Sequence, residues 1–156
     1  MKKFVFNLEP VLNYREQVEK ETQVALTKVQ QLVSDHEGRL LEAYRILEGA
    51  RGELRKQVGG GKIDMDEAKR QRLYIVSLKE RVSEVLKRLR KLEVELTQRR
   101  DEAVQARKER KVLEMLRSRR HLAYMKEADR AEVAELDDLA GKKEAAKRMA
   151  SPRDGS

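Results

Sequence analysis

The 156-residue chain has no cysteine and no tryptophan, only two prolines, and 4% aromatic residues. Without cysteine there are no disulfides, thiolate nucleophiles or thiolate metal sites, which fits a reducing cytoplasm. No stretch of about eighteen apolar residues exists, so the sequence offers no membrane span. The opening MKKFVFNLEP has a basic start but no apolar h-region, and it reads as mature sequence. What the chain has in abundance is charge: 41% of residues are charged, with a formal net charge of +8. That balance admits nucleic acid, anionic lipid or an acidic protein as partner and selects none of them.

So polar a composition suggests disorder, but the residues it is rich in are mostly strong helix formers, and the apolar ones recur at regular spacing. Long helices follow. One interruption divides them, VGGGKID at Val58 to Asp64. Three successive glycines each destabilise a helix by about 1 kcal/mol relative to alanine. Asp64 then offers an N-cap, with Glu67 three residues on as the second member of a capping-box pattern. The predicted organisation is a single coiled-coil hairpin over 1–156: helix 9–57, turn 58–63, helix 64–148, and a disordered tail 149–156.

The first helix starts near Pro10, where the missing amide hydrogen costs nothing. Its predicted seam is Leu8, Val11, Arg15, Val18, Thr22, Ala25, Val29 and Leu32. A stutter at His36 to Leu40 precedes Ala43, Leu47, Ala50 and Leu54. The second helix has a cleaner seam, Ile75, Leu78, Val82, Val85, Leu89, Leu92 and Leu96, at consecutive a and d positions. In the same register come Arg99, Ala103, Ala106, Arg110 and Leu113, so the seam thins and turns basic. A linker this short makes the helices antiparallel neighbours. At about 1.5 Å per residue the predicted lengths are roughly 70 Å and 125 Å. The longer helix should therefore overhang from Lys111 to Met149, with fraying beyond Leu139. Phe4 and Phe6, the only phenylalanines, fall at the open end of the hairpin.

No catalytic constellation is visible. GGGK lacks the Walker spacing, because Lys56 stands where the first glycine is needed and Ile63 where the serine or threonine is needed. His36 and His121 lie on opposite arms, and the adjacent Asp137 and Asp138 diverge around a helix. The reading is of a non-enzyme with no cofactor and no metal site. The basic segment Arg99 to Arg120 is the strongest charge feature. It suits phosphates or an acidic protein surface, but no stacking platform of aromatics accompanies it, so nucleic acid is not the expected partner. Near the turn, Leu41, Leu73 and Tyr74 are surplus to a two-stripe seam and mark either a broader core or a binding surface.

The opening FVFNLEPVLNYRE, Phe4 to Glu16, resembles the N-terminal signature of the FliJ family, the flagellar type III export stalk proteins. The stretch ERKVLEMLRSRRHLAYMKEADRAEVAELDDLA, Glu109 to Ala140, resembles that family's other marked segment, with Lys111 and Glu114 in its K-x-x-E core. The resemblance implies an all-α antiparallel coiled coil, similar to the central stalk of rotary ATPases. It also implies a protein of bacterial motility that is cytoplasmic and held at the inner membrane through its partners. Those partners are the flagellar export ATPase hexamer, the membrane export gate protein and export chaperones. The ATPase-facing positions would be Phe4, Phe6, Leu8, Val11 and Leu12, with Arg110, Leu113, Leu116, Arg117, Leu122 and Tyr124 opposite. Gate or chaperone contact would fall on Leu41, Tyr44, Leu73, Tyr74 and Leu78. The sequence departs from the family in that patch, with Arg81 where a small residue is often found. Alternatives are an injectisome stalk, a basic helical hairpin that binds RNA, and a structural homodimer. The last is disfavoured because the intramolecular turn already pairs both seams.

Overall fold

The computed structural model describes residues 2–61 and 64–151, and these are all-α: two long helices, packed against each other, with no strand among the described residues. Helix α1 spans Glu9–Gly59 and helix α2 spans Met65–Ala150. Helix α1 is entered through a tight turn, in which the Glu9 amide donates to the Phe6 carbonyl at 3.0 Å. Pro10 follows in the first helical turn, where its missing donor is one of the amides that would be free anyway.

The glycine run ends α1 later than propensity alone suggests. Gly59 is still helical, and the Gly60 amide reaches the Gln57 carbonyl at 3.4 Å. Gly61 has φ of +78°, a backbone state that disfavours any residue with a Cβ. Lys62 and Ile63, the rest of the predicted turn, lie outside the described residues. The Asp64 carboxylate then accepts the Asp66 amide at 3.1 Å, which caps the N-terminus of α2. Glu67 pairs with Arg70 at 2.9 Å.

The chain divides into two compact units, Gln17–Arg107 and Met1–Glu16 with Lys108–Ser156. In Gln17–Arg107 the two helices run antiparallel around an apolar seam. Ala43 and Leu47 pack with Ile75, Leu78 and Val82, and Val29 and Val33 pack with Leu89 and Leu92. Burial follows the predicted seam of α2 throughout, with Ile75, Leu78, Val82, Leu89, Leu92 and Ala106 all buried.

On α1 the seam differs from the expected one. Leu26 and Val33 are buried, whereas Leu32 is exposed. The inward positions therefore run Thr22, Leu26, Val29, Val33, His36, Leu40, Ala43 and Leu47, in unbroken steps of four and three. The predicted stutter at His36 does not exist. It arose from choosing the neighbouring column Val11, Val18, Ala25 and Leu32, which has the same seven-residue repeat.

In the other unit, residues 2–16 lie antiparallel to α2. Leu12 is 1% exposed and Phe6 5%, and these are the buried apolar residues of this unit. Cover of α2 extends past Lys111, where the overhang was expected to start, because the segment before α1 continues along it as far as Tyr124. From Asp129 to Ala150 every residue of α2 is exposed. The helix includes Met149 and Ala150, and residues 152–156 of the predicted tail lie outside the described residues.

Candidate functional site

In the unit containing the N-terminal segment, the site is built from the non-helical residues 2–8 laid on a helix. The Phe4 ring meets His121 edge-on, with centroids 5.0 Å apart and planes at 79°. It meets Tyr124 at 5.5 Å and 48°. Such aromatic pairs contribute about 0.5–1.5 kcal/mol beyond their buried area. The Tyr124 hydroxyl donates to the Lys2 carbonyl at 2.6 Å, tying down a backbone that has no helical partner there. The Arg120 guanidinium lies 5.6 Å from the Phe6 ring centroid, a cation–π contact.

Ion pairs continue this fastening toward the first turns of α1. Arg117 meets Glu9 at 3.2 Å, and Arg15 pairs with Glu109. Glu9 stands in the first turn of α1, where a carboxylate also complements the helix dipole. Arg110 pairs with Glu114 along α2 at 2.5 Å. Three cations of the basic segment, Arg99, Arg110 and Arg117, are paired with carboxylates in this way. The opposite side of α2 carries Val112, Met115 and Leu122, all exposed, interleaved with exposed Lys108, Lys111 and Arg119. That side is basic and apolar together.

A family model described as Flagellar FliJ protein matches residues 4–148, nearly the whole chain. The chain belongs to this flagellar FliJ family. It is thereby a component of flagellar protein export, from a family of structural stalk proteins rather than enzymes. No curated protein and no solved structure matches it. Among the described residues there is no cluster of metal-ligating side chains, and no helix long and apolar enough to cross a membrane.

The residues that the FliJ resemblance assigns to the ATPase separate into two kinds. Phe6 and Leu12 are buried and Phe4, Leu8, Arg110, Leu113, Leu116 and Tyr124 are half-buried; of these, Phe4, Phe6 and Tyr124 make ring or hydrogen-bond contacts that fasten the N-terminal segment to α2, whereas Arg110 pairs along α2 with Glu114. Val11, Arg117 and Leu122 are exposed. The structure brings Phe4 together with Tyr124, and Arg117 with Glu9. Sequence reasoning did not anticipate His121 as the edge partner of Phe4, nor Arg120 as the cation over Phe6. An i, i+3 step from His121 to Tyr124 puts both rings on neighbouring rows of one helix face, and that spacing was the available signal.

In Gln17–Arg107 the residues assigned to gate or chaperone also divide. Leu41 is 72% exposed and Leu73 70%, and Tyr44 and Tyr74 are exposed as well. Leu78 is 6% exposed and belongs to the seam beside Ala43 and Leu47. Between Leu41 and Tyr44 lies Glu42, gripped by Arg45 through two hydrogen bonds of 2.5 and 3.0 Å. The Arg45 guanidinium holds the Glu42 carboxyl below its ordinary pKa, and the same pairing raises that of Arg45. Arg81 lines an open groove with Gly38, Glu42 and Glu84. Gly38 meets nothing within 4 Å of where a Cβ would stand, so the groove is not a packing requirement on that glycine.

Proposed function

We propose that this protein is the non-enzymatic stalk of a flagellar type III export apparatus. In this reading it binds the export ATPase ring, stimulates hydrolysis, and couples the ring to the membrane export gate and to export chaperones. The observation that carries the proposal is the FliJ family match over residues 4–148. It is supported by the form of the N-terminal unit, where one side of α2 is occupied by the chain's own aromatic segment and the other presents Lys108, Lys111, Met115, Arg119 and Leu122 to solvent. The protein acts at the cytoplasmic side of the membrane through these partners, with no direct span.

The division between buried and exposed residues assigns distinct roles. Phe4, Phe6, Leu8, Leu12, Leu113, Leu116 and Tyr124 shape the inserted end and keep it rigid. Val11, Leu122 and Arg117, joined by the basic side of α2, touch the ring. An asymmetric end contacts ring subunits unequally, and unequal contact shifts their conformational populations. For the gate or chaperones, Leu41, Tyr44, Leu73 and Tyr74 are the contact residues, with Leu78 acting through the packing beneath them. Binding of RNA is the less favoured reading, because the exposed basic side of α2, with Lys108, Lys111 and Arg119, carries no exposed aromatic ring on which bases could stack.

The test is ATP hydrolysis by the export ATPase of the same organism. Wild-type protein should stimulate it, and Leu122→Asp with Lys111→Glu should abolish stimulation while leaving the helical content intact. A Phe4→Ala/Phe6→Ala variant should lose stimulation through loosening of the end, visible as faster hydrogen exchange in residues 2–16. No stimulation by folded wild-type protein would remove the stalk mechanism.

A further inference from the structure

From Glu127 onward, α2 carries its charge in two blocks of opposite sign. Glu127, Asp129, Glu132, Glu135, Asp137 and Asp138 stand with Arg130 as the one cation among them. Lys142, Lys143, Lys147 and Arg148 follow, with Glu144 as the one acid. Leu136 and Leu139 sit at the boundary, both exposed, and no residue from Asp129 to Ala150 is covered by any other part of its unit. A helix without tertiary packing is marginal in water, and Gly141 weakens this one further. The segment thus has the marks of a helix that needs a partner.

We propose that the partner is a second copy of this chain, paired antiparallel through the same segment. Steps of four and three connect Met125, Asp129, Glu132, Leu136, Leu139, Lys143, Ala146 and Ala150, a seam that the chain's own N-terminal segment leaves open. Antiparallel pairing centred between Leu136 and Leu139 sets each of these leucines against the other in the second copy. The same register sets Glu132 against Lys143, Asp129 against Ala146 and Met125 against Ala150. The acidic block then lies along the basic block twice over, as an isologous two-fold contact requires. A parallel pair would instead stack acid on acid and Lys143 on Lys143. An anionic membrane or nucleic acid would be repelled by the acidic block, whereas a second copy satisfies both blocks. With Asp129, Glu132 and Lys143 in each seam, the association is weak, reversible and salt-sensitive.

Sedimentation of the full-length protein over a concentration series tests this. Wild type should shift from monomer toward dimer as concentration rises, and less so at high salt. One variant, E132K/E135K/D137K/D138K, makes the segment net basic; another, K142E/K143E/K147E/R148E, makes it net acidic. Each alone should weaken association at least about tenfold, and an equimolar mixture should restore it. Because the chain has no cysteine, orientation is read by mixing Met125→Cys with Ala150→Cys, which should cross-link to each other in preference to themselves. This readout does not depend on the charge variants retaining their helix. Wild type monomeric at every concentration, dimerisation indifferent to both charge variants, or preferential like-with-like cross-links would each overturn the proposal.

Discussion

The two compact units of this protein are held by different physics. In Gln17–Arg107, leucine, isoleucine and valine from both helices close over one another, and nearly all the buried apolar residues belong here. In the unit of residues 2–16 and 108–151, Phe6 and Leu12 are the buried apolar residues. Much of the remaining contact consists of ring edges, a cation over a ring, and pairs such as Arg117 with Glu9. Apolar burial is non-directional and is not weakened by charge screening, whereas ring contacts depend on orientation and exposed ion pairs weaken as salt is added. The comparison teaches that the seam is held by apolar burial and the aromatic end by directional ring and ion contacts. Regions with few buried contacts open at lower free energy than the core does.

The largest effect should come from cutting the seam. Leu92 is 3% exposed and packs in the cluster with Val29, Val33 and Leu89. Leu92→Ala removes buried methylenes and leaves a gap that a two-helix contact closes only in part, a loss of about 2–4 kcal/mol. Thermal melting followed by circular dichroism should show a much lower midpoint for the whole helical signal. A midpoint shift of a degree or less would mean that the seam is not the source of stability.

The equivalent cut at the aromatic end should read out differently. Leu12→Ala removes the same atoms from an equally buried position, yet its effect should be local. Hydrogen exchange should quicken in residues 2–16 and in the facing turns of α2, while the thermal midpoint moves less than for Leu92→Ala. Equal midpoint shifts in the two variants would show that both regions unfold as one cooperative unit, and the contrast drawn above would fail.

This difference also explains how much could be read from the amino-acid order. The α2 seam from Ile75 to Leu96 was legible because its a and d positions carry large aliphatic residues with polar neighbours. On α1 two adjacent columns share the seven-residue period. Val11, Val18, Ala25 and Leu32 compete with Leu12, Glu19, Leu26 and Val33, and periodicity alone cannot choose between columns one residue apart. Packing against α2 chose the second. At the open end, the juxtaposition of Phe4 with Tyr124 was foreseeable from an antiparallel register about the glycine turn. The cover given by residues 2–8 was not, since an extended segment has no helical period to read. Leu78 illustrates a third limit, because one residue served both as a seam position and as a proposed contact residue. Burial decides the first of these roles and leaves the second to the surface around it.

Ion pairing at the aromatic end gives a smaller and more specific prediction. Arg15 and Glu109 pair across the two chain segments with about a third of each side chain exposed. A double-mutant cycle with Arg15→Ala and Glu109→Ala should give a coupling of about 0.5–1 kcal/mol. The coupling should shrink as salt is added, since solvent reaches both partners. A coupling that is unchanged at high salt would place this pair with the seam in its physics and blur the distinction between the two units.

The smallest effect concerns Glu42, on the exposed side of α1 between Leu41 and Tyr44. Its carboxyl is held below its ordinary pKa by the hydrogen bonds from Arg45. A depressed carboxylate pKa in the folded state adds stability that is present above the unfolded value and disappears as pH falls through the folded value. Glu42→Gln should therefore leave the acid limb of the stability curve slightly shallower and the neutral region almost unchanged, because an exposed pair one helical turn apart is weakly coupled. Urea unfolding of both proteins across the acid range measures this difference directly. A steep loss of stability at neutral pH in the variant would show that the Glu42–Arg45 pair orders the surface around Leu41 and Tyr44. The exposed apolar patch on the seam unit would then share the polar fastening found at the aromatic end.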